Sequence, residues 1–157
     1  MGRVLSVGEL AQRVGELKRQ GRKVAFANGH FDVLHVGHVD YLRFAASKGD
    51  VLLVAVNDDE SVRRLKGEGR PINGIADRMT VLAALEMVDA VVPFGDDTPL
   101  ALIERVSPEV LVKGADWADK GVVGREWVES HGGSVYLAPM LPGRSTTSMV
   151  ERMPQGG

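Results

Sequence analysis

Short apolar runs recur along this chain as continuous blocks, and no other sequence feature restricts its fold as much. They are Val24-Ala25-Phe26-Ala27, the run from Val51 to Val56, Ala90-Val91-Val92, Val110-Leu111-Val112 and Val135-Tyr136-Leu137. A strand with one wet face alternates apolar and polar residues, whereas a strand covered on both faces does not. Helix signals lie between the runs. Ser6 with Glu9 makes a capping-box pattern for a first helix ending near Gly21. From about His38 to Lys48, Val39, Leu42, Ala45 and Ala46 share one face, and Gly49 supplies a stop. The helical period returns from Asp77 to Met87. Thr98-Pro99 predicts another helix, with the threonine as cap and the proline in the first turn. Further helices are expected around residues 124–131 and from Thr146 to Arg152, with residues 154–157 frayed. Strands alternating with helices predict the α/β class. The expected form is a single Rossmann-like, doubly wound domain over residues 1–157, with a five-stranded parallel sheet and helices on both faces.

Composition removes several classes of function. The chain has no cysteine, so disulfides, thiolate zinc sites and cysteine nucleophiles are all excluded. No secretory signal and no apolar run of membrane-spanning length is present, which makes a cytoplasmic protein without a membrane partner the expectation. A net charge of −2 gives no support to a general nucleic-acid role. Locally the balance differs. Arg63, Arg64, Lys66 and Arg70 fall close together, opposed only by Glu68. They read either as a solvated loop or as a phosphate clamp.

Open parallel sheets bind ligands at the carboxyl ends of their strands. The segment after the first predicted strand is Asn28-Gly29-His30-Phe31-Asp32-Val33-Leu34-His35-Val36-Gly37-His38. His35 and His38 are three apart at the entrance to a helix, so they share a face. Gly37 lets a large anion approach the backbone, and a helix start offers unpaired N–H groups and a positive dipole end. Each histidine could instead satisfy a local hydrogen bond, or the pair could be two zinc ligands. Only His30 and His131 remain as histidine partners for zinc, however, and no HExxH pattern is present. A dinucleotide-binding oxidoreductase fits the fold but not the glycine pattern, and a P-loop kinase would need GxxxxGK[ST].

The HxGH word, with Val54 to Gly67, Gly69-Arg70-Pro71-Ile72-Asn73, Arg78 to Leu85, Leu111 to Asp116 and Arg144-Ser145-Thr146-Thr147, resembles the cytidylyltransferase-like nucleotidyltransferases. Within that family the chain is most similar to the branch that makes ADP-heptose from heptose 1-phosphate. The resemblance spans roughly residues 6 to 153. His30 departs from it, because that branch commonly has cysteine there and other relatives have threonine.

The resemblance implies that His35 and His38 bind the triphosphate and stabilise charge on the transferring phosphorus, with Lys66 reaching phosphate from the second crossover. It implies that Asn28, Gly29, His30 and Phe31 line the first phosphate loop beside Gly37. Gly114, Asp116 and Trp117 would border the nucleoside, and Ser145, Thr146 and Thr147 would close over the triphosphate. Arg70 and Arg78 are further candidates for substrate phosphate. The substrates implied are ATP, with Mg²⁺ held mainly through its phosphates, and a sugar phosphate. Transfer would be a direct in-line attack that needs no triad or general base. A homodimer is implied, as is a separate sugar kinase to supply the sugar 1-phosphate. Two alternatives remain open: a cytidylyltransferase acting on glycerol 3-phosphate or another alcohol phosphate, and a non-catalytic nucleotide-binding module.

Overall fold

The computed structural model describes residues 2–139 and 150–154. Ser145, Thr146 and Thr147 lie outside the described residues; of the helix expected from Thr146 to Arg152, residues 150–152 are described, and they are helical. In chain order the elements are β1 (Arg3–Val4), α1 (Val7–Arg19), β2 (Val24–Gly29), α2 (Val36–Ala46), β3 (Val51–Asn57), α3 (Asp59–Lys66), α4 (Ile75–Ala83), β4 (Ala90–Phe94), α5 (Leu100–Val106), β5 (Val110–Gly114), a 3₁₀ turn (Ala115–Trp117), α6 (Arg125–Ser130) and β6 (Ser134–Ala138).

The sheet is parallel throughout, in the order β1-β4-β3-β2-β5-β6. Among the described residues it has six strands, one more than expected. The extra strand, β1, has only two residues, both exposed, and it pairs Arg3 with Ala90 and Val4 with Val91 at the sheet edge. Its backbone bonds define it, and it contains no apolar run to announce it.

Both faces of the sheet are covered, as the unbroken apolar runs require. One face packs Phe26, Leu53, Val92 and Leu111 against Leu10, Val14 and Leu17 of α1 and Leu102, Ile103 and Val106 of α5. The other packs Ala27, Val54, Val91 and Val112 against Leu42 and Ala45 of α2 and Leu82 and Ala83 of α4. Each such leucine contributes about 1.5–3 kcal/mol on burial, so the two apolar layers dominate stability.

Local signals mostly act where they were read. Ser6 Oγ accepts the Glu9 N–H and Glu9 Oε1 accepts the Ser6 N–H, closing the capping box of α1. Thr98 differs from expectation: α5 starts one residue later, with Pro99 at the cap position and no side-chain cap bond. The basic segment also resolves differently, since Arg63, Arg64 and Lys66 form the last turn of α3. Asp58 caps that helix through Ser61, and Asp59 and Glu60 occupy its first turn. Acid at the start and base at the end complement the helix dipole. Among the described residues no helix is long and apolar enough to cross a membrane.

From β2 the chain steps outward to β3 and β4, then returns to lay β5 on the other side of β2. The crevice between the carboxyl ends of β2 and β5 is therefore the topological switch point, where such sheets take ligands.

Candidate active site

A cleft of about 460 Å³ opens at that crevice. Asn28, Gly29, His30, Phe31, His35, Gly37, His38, Lys66, Arg70, Gly114, Asp116 and Trp117 all line it. Residues from β2, α2, α3, β5, the 3₁₀ turn and the loops after β2 and α3 are thus brought together.

His35 is the N-cap of α2, and His38 is the third residue of the helix. The Gly37 N–H donates to His35 Nδ1 at 3.0 Å, and the His35 N–H donates to His38 Nδ1 at 3.2 Å. The ring centroids are 4.0 Å apart. A ring nitrogen that accepts an N–H carries no proton of its own, so each neutral imidazole keeps its proton on Nε2. Burial, and then the nearness of the His35 ring, pull His38 down to about 4 from its usual 6.5. At neutral pH His38 is a fixed, uncharged N–H donor.

The loop before α2 is held in an uncommon shape. Phe31 has φ 48 although it is a bulky residue, a backbone state that persists only where its surroundings enforce it. Its ring packs against His38 and Tyr41. A Cβ on Gly29 would come within 3.1 Å of that ring, which explains the glycine. Asp32, buried behind the loop, accepts the Ile72 and Asn73 N–H groups and pairs with Arg70 Nε at 3.0 Å. Burial would raise the Asp32 carboxyl, but the Asn73 and Ile72 N–H groups and Arg70 hold it below its usual range.

Arg78 departs from its expected role, because it does not line the cleft. It is 2% exposed and donates to the carbonyls of Asn73, His30 and Asn57 and to the Asp59 carboxylate. Its guanidinium ties the phosphate loop, the end of β3 and the 70s segment together instead of facing a substrate.

Lys113 was not singled out from the sequence, although a lysine ending an apolar strand run is a visible signal. It is 8% exposed, and its Nζ stands 4.5 Å from the centroid of the Trp117 ring. Burial pulls its ammonium down to about 8, against the opposing pull of Asp116. His30, half-buried, is driven to about 4 by burial and then by Lys66, Arg78, Lys113 and Arg70. Lys66, Arg70 and Lys113 share the cleft lining with Asp32, Asp97 and Asp116, and it is around His30 that the cations dominate, a part of the cleft that suits an anion.

This arrangement makes the ligand-free protein acid-sensitive. Unfolded imidazoles take up protons near 6.5, whereas His30 and His38 do so only near 4 in the fold. The unfolded chain binds more protons throughout that window, so stability falls as pH drops from 6.5 to 4. Asp32 titrates below it and adds nothing there. Melting scans at pH 7 and pH 5 are expected to differ by roughly 5 °C, and His38→Asn should shrink the difference.

The cytidylyltransferase-like family matches residues 26–138, from within β2 to the end of β6. The chain belongs to that family. This cytidylyltransferase-like chain is 53% identical over 150 residues to the bifunctional protein HldE of Alkalilimnicola ehrlichii, covering 96% of the chain and 31% of that protein. It is 52% identical over 151 residues to its counterpart in Geobacter sulfurreducens, with the same two shares. The chain thus spans about a third of the length of these curated relatives. Among solved structures, the lipopolysaccharide core biosynthesis protein from Thermoplasma volcanium GSS1 is 26% identical with TM-score 0.61, over 77% of this chain and 98% of that one. Pantoate-beta-alanine ligase from Francisella tularensis, crystallised with an ATP compound and beta-alanine, has TM-score 0.68 at 16% identity, over 99% of this chain and 74% of that one. That last likeness concerns the fold alone.

Proposed function

We propose that this chain transfers AMP from ATP to a heptose 1-phosphate, giving ADP-heptose and pyrophosphate. The observation that carries the reading is the histidine pair, whose Nδ1 atoms are tied to the backbone at the start of α2 inside the cleft. An oxygen of the sugar phosphate attacks the α-phosphorus, the bond to the β-phosphate oxygen breaks, and pyrophosphate leaves. The attacking phosphate is already ionised near neutral pH, so no base has to remove a proton. Positioning and charge stabilisation then carry the catalysis. The Nε2–H groups of His35 and His38 meet the charge that develops around the phosphorus, the N-terminus of α2 and Lys66 hold the triphosphate, and Asp116 and Trp117 border the nucleoside. Mg²⁺ would enter with the triphosphate. Among the described residues no group of three His, Asp or Glu side chains could hold a metal by itself. The heptose assignment draws on the similarity to the HldE proteins and to the lipopolysaccharide core biosynthesis structure.

The test is pyrophosphate release by purified protein given ATP, GTP or CTP against a panel of sugar and polyol phosphates. ATP with a heptose 1-phosphate is expected to be the productive pair. Release only with CTP and glycerol 3-phosphate would replace this reading, and no release with any pair would leave a binding module. Lys66→Ala is expected to raise the Michaelis constant of a phosphate-bearing substrate about tenfold while turnover changes little. Unchanged constants for both substrates would remove Lys66 from the site.

A further inference from the structure

The ends of β2 and β5 carry two buried polar side chains, Asn28 and Lys113, that have been given no specific contact with a ligand above. The strands run in register, Phe26 beside Leu111 and Ala27 beside Val112, so the next step sets Asn28 beside Lys113. Phe26 and Leu111 pack in the same apolar layer, and Asn28 and Lys113 follow them at a spacing of two, on the same face of the sheet. Both residues are 8% exposed and both line the cleft.

Each is left unsatisfied. Asn28 Oδ1 is the buried side-chain polar atom without a hydrogen-bond partner among the described residues. Lys113 has the Trp117 ring at one side and feels the charge of Asp116, but no hydrogen bond or ion pair among the described residues reaches its ammonium. The Lys113 side chain is buried along its length while its Nζ opens on the cleft; a partly desolvated ammonium without a bonded counter-charge destabilises a fold, and groups of this kind gather where a ligand completes them. Asparagine at position 28, in place of the isosteric aspartate, leaves that charge unquenched.

Position says which part of a ligand would complete it. Lys113 adjoins Trp117 and Asp116, on the nucleoside side, and its charge is also felt by His30 in the phosphate loop. In a nucleoside triphosphate the α-phosphate is the group that joins the nucleoside to the β- and γ-phosphates. We infer that Lys113, with Asn28 beside it, holds an oxygen of the nucleotide's α-phosphate, adding a second contact to the phosphorus that the histidines meet from the α2 terminus. This rests on reading the cleft as a nucleotide site.

The test is calorimetric binding of ATP, AMP and pyrophosphate to the intact chain, with thermal melting of each variant. Lys113→Met is expected to weaken ATP and AMP at least about tenfold, the scale of a lost hydrogen bond to a charged group, and to leave pyrophosphate within twofold. It should melt no lower than the wild type, because a partly desolvated charge with no bonded partner has gone. Lys113→Arg should keep most of the affinity. Asn28→Asp should reproduce the loss by quenching the ammonium, which keeps the test open if Lys113→Met fails to fold. Unchanged ATP and AMP affinities, a loss confined to pyrophosphate, or a lowered melting point with binding intact would each overturn the subsite. A wild-type protein that binds none of the three would instead overturn the nucleotide reading itself, and the subsite with it.

Discussion

His35→Asn is expected to lower turnover by about 10² or more while the protein stays as stable as the wild type. The two effects separate because the ring caps α2 through one nitrogen and has its proposed catalytic role on the other. Its Nδ1 accepts the Gly37 N–H as the cap of α2, and asparagine is among the best residues at a helix cap. The proposed transition-state donor, Nε2–H, has no counterpart in the shorter side chain, and losing one such donor typically costs 10²–10³ in rate. Alanine confounds the two, because removing the cap alone costs about 1 kcal/mol. Steady-state kinetics beside urea unfolding of His35→Asn and His35→Ala decides the matter. Wild-type turnover in a folded His35→Asn variant would take this ring out of the chemistry.

The largest stability effect is expected at Arg78. Arg78→Met should lower the unfolding free energy by about 3 kcal/mol or more, and the melting temperature by roughly 6–12 °C. Three backbone carbonyls and one carboxylate lose their donors at once, and the carbonyls of Asn57 and His30 lie in or beside the buried strand ends. Arg78→Lys should restore little, since one ammonium cannot span four acceptors that a planar guanidinium reaches together. Thermal melting of the two variants checks this. A folded Arg78→Met protein of wild-type stability whose Michaelis constants rose instead would return the residue to the substrate side.

Arg78 also shows where reading the sequence stops. As an arginine a short way beyond a basic cluster it looked like a phosphate contact. Its burial depends on three segments distant in sequence converging on it, which no local pattern carries. Lys113 and Asn28 are similar: their residue types are visible, but their lack of partners is a tertiary fact. What local physics dictates was legible. Five strands followed from unbroken apolar runs, α1 from its capping box, and the position of the site from HxGH after a strand. β1 escaped because an edge pair of two exposed residues has no apolar signature. α3 escaped although Asp58, its acidic first turn and its basic last turn are a readable pattern, because the cluster of cations drew attention to charge rather than to helix capping.

Asp32 has one more consequence. By gripping the Ile72 and Asn73 amides and the Arg70 side chain, it fixes one wall of the cleft before any ligand arrives. The entropy of ordering that wall is lost once, as the chain folds, so on the proposed reading a phosphate meeting Arg70 would give up little of its affinity to arrange it. On this side the wall is preorganised by the fold itself.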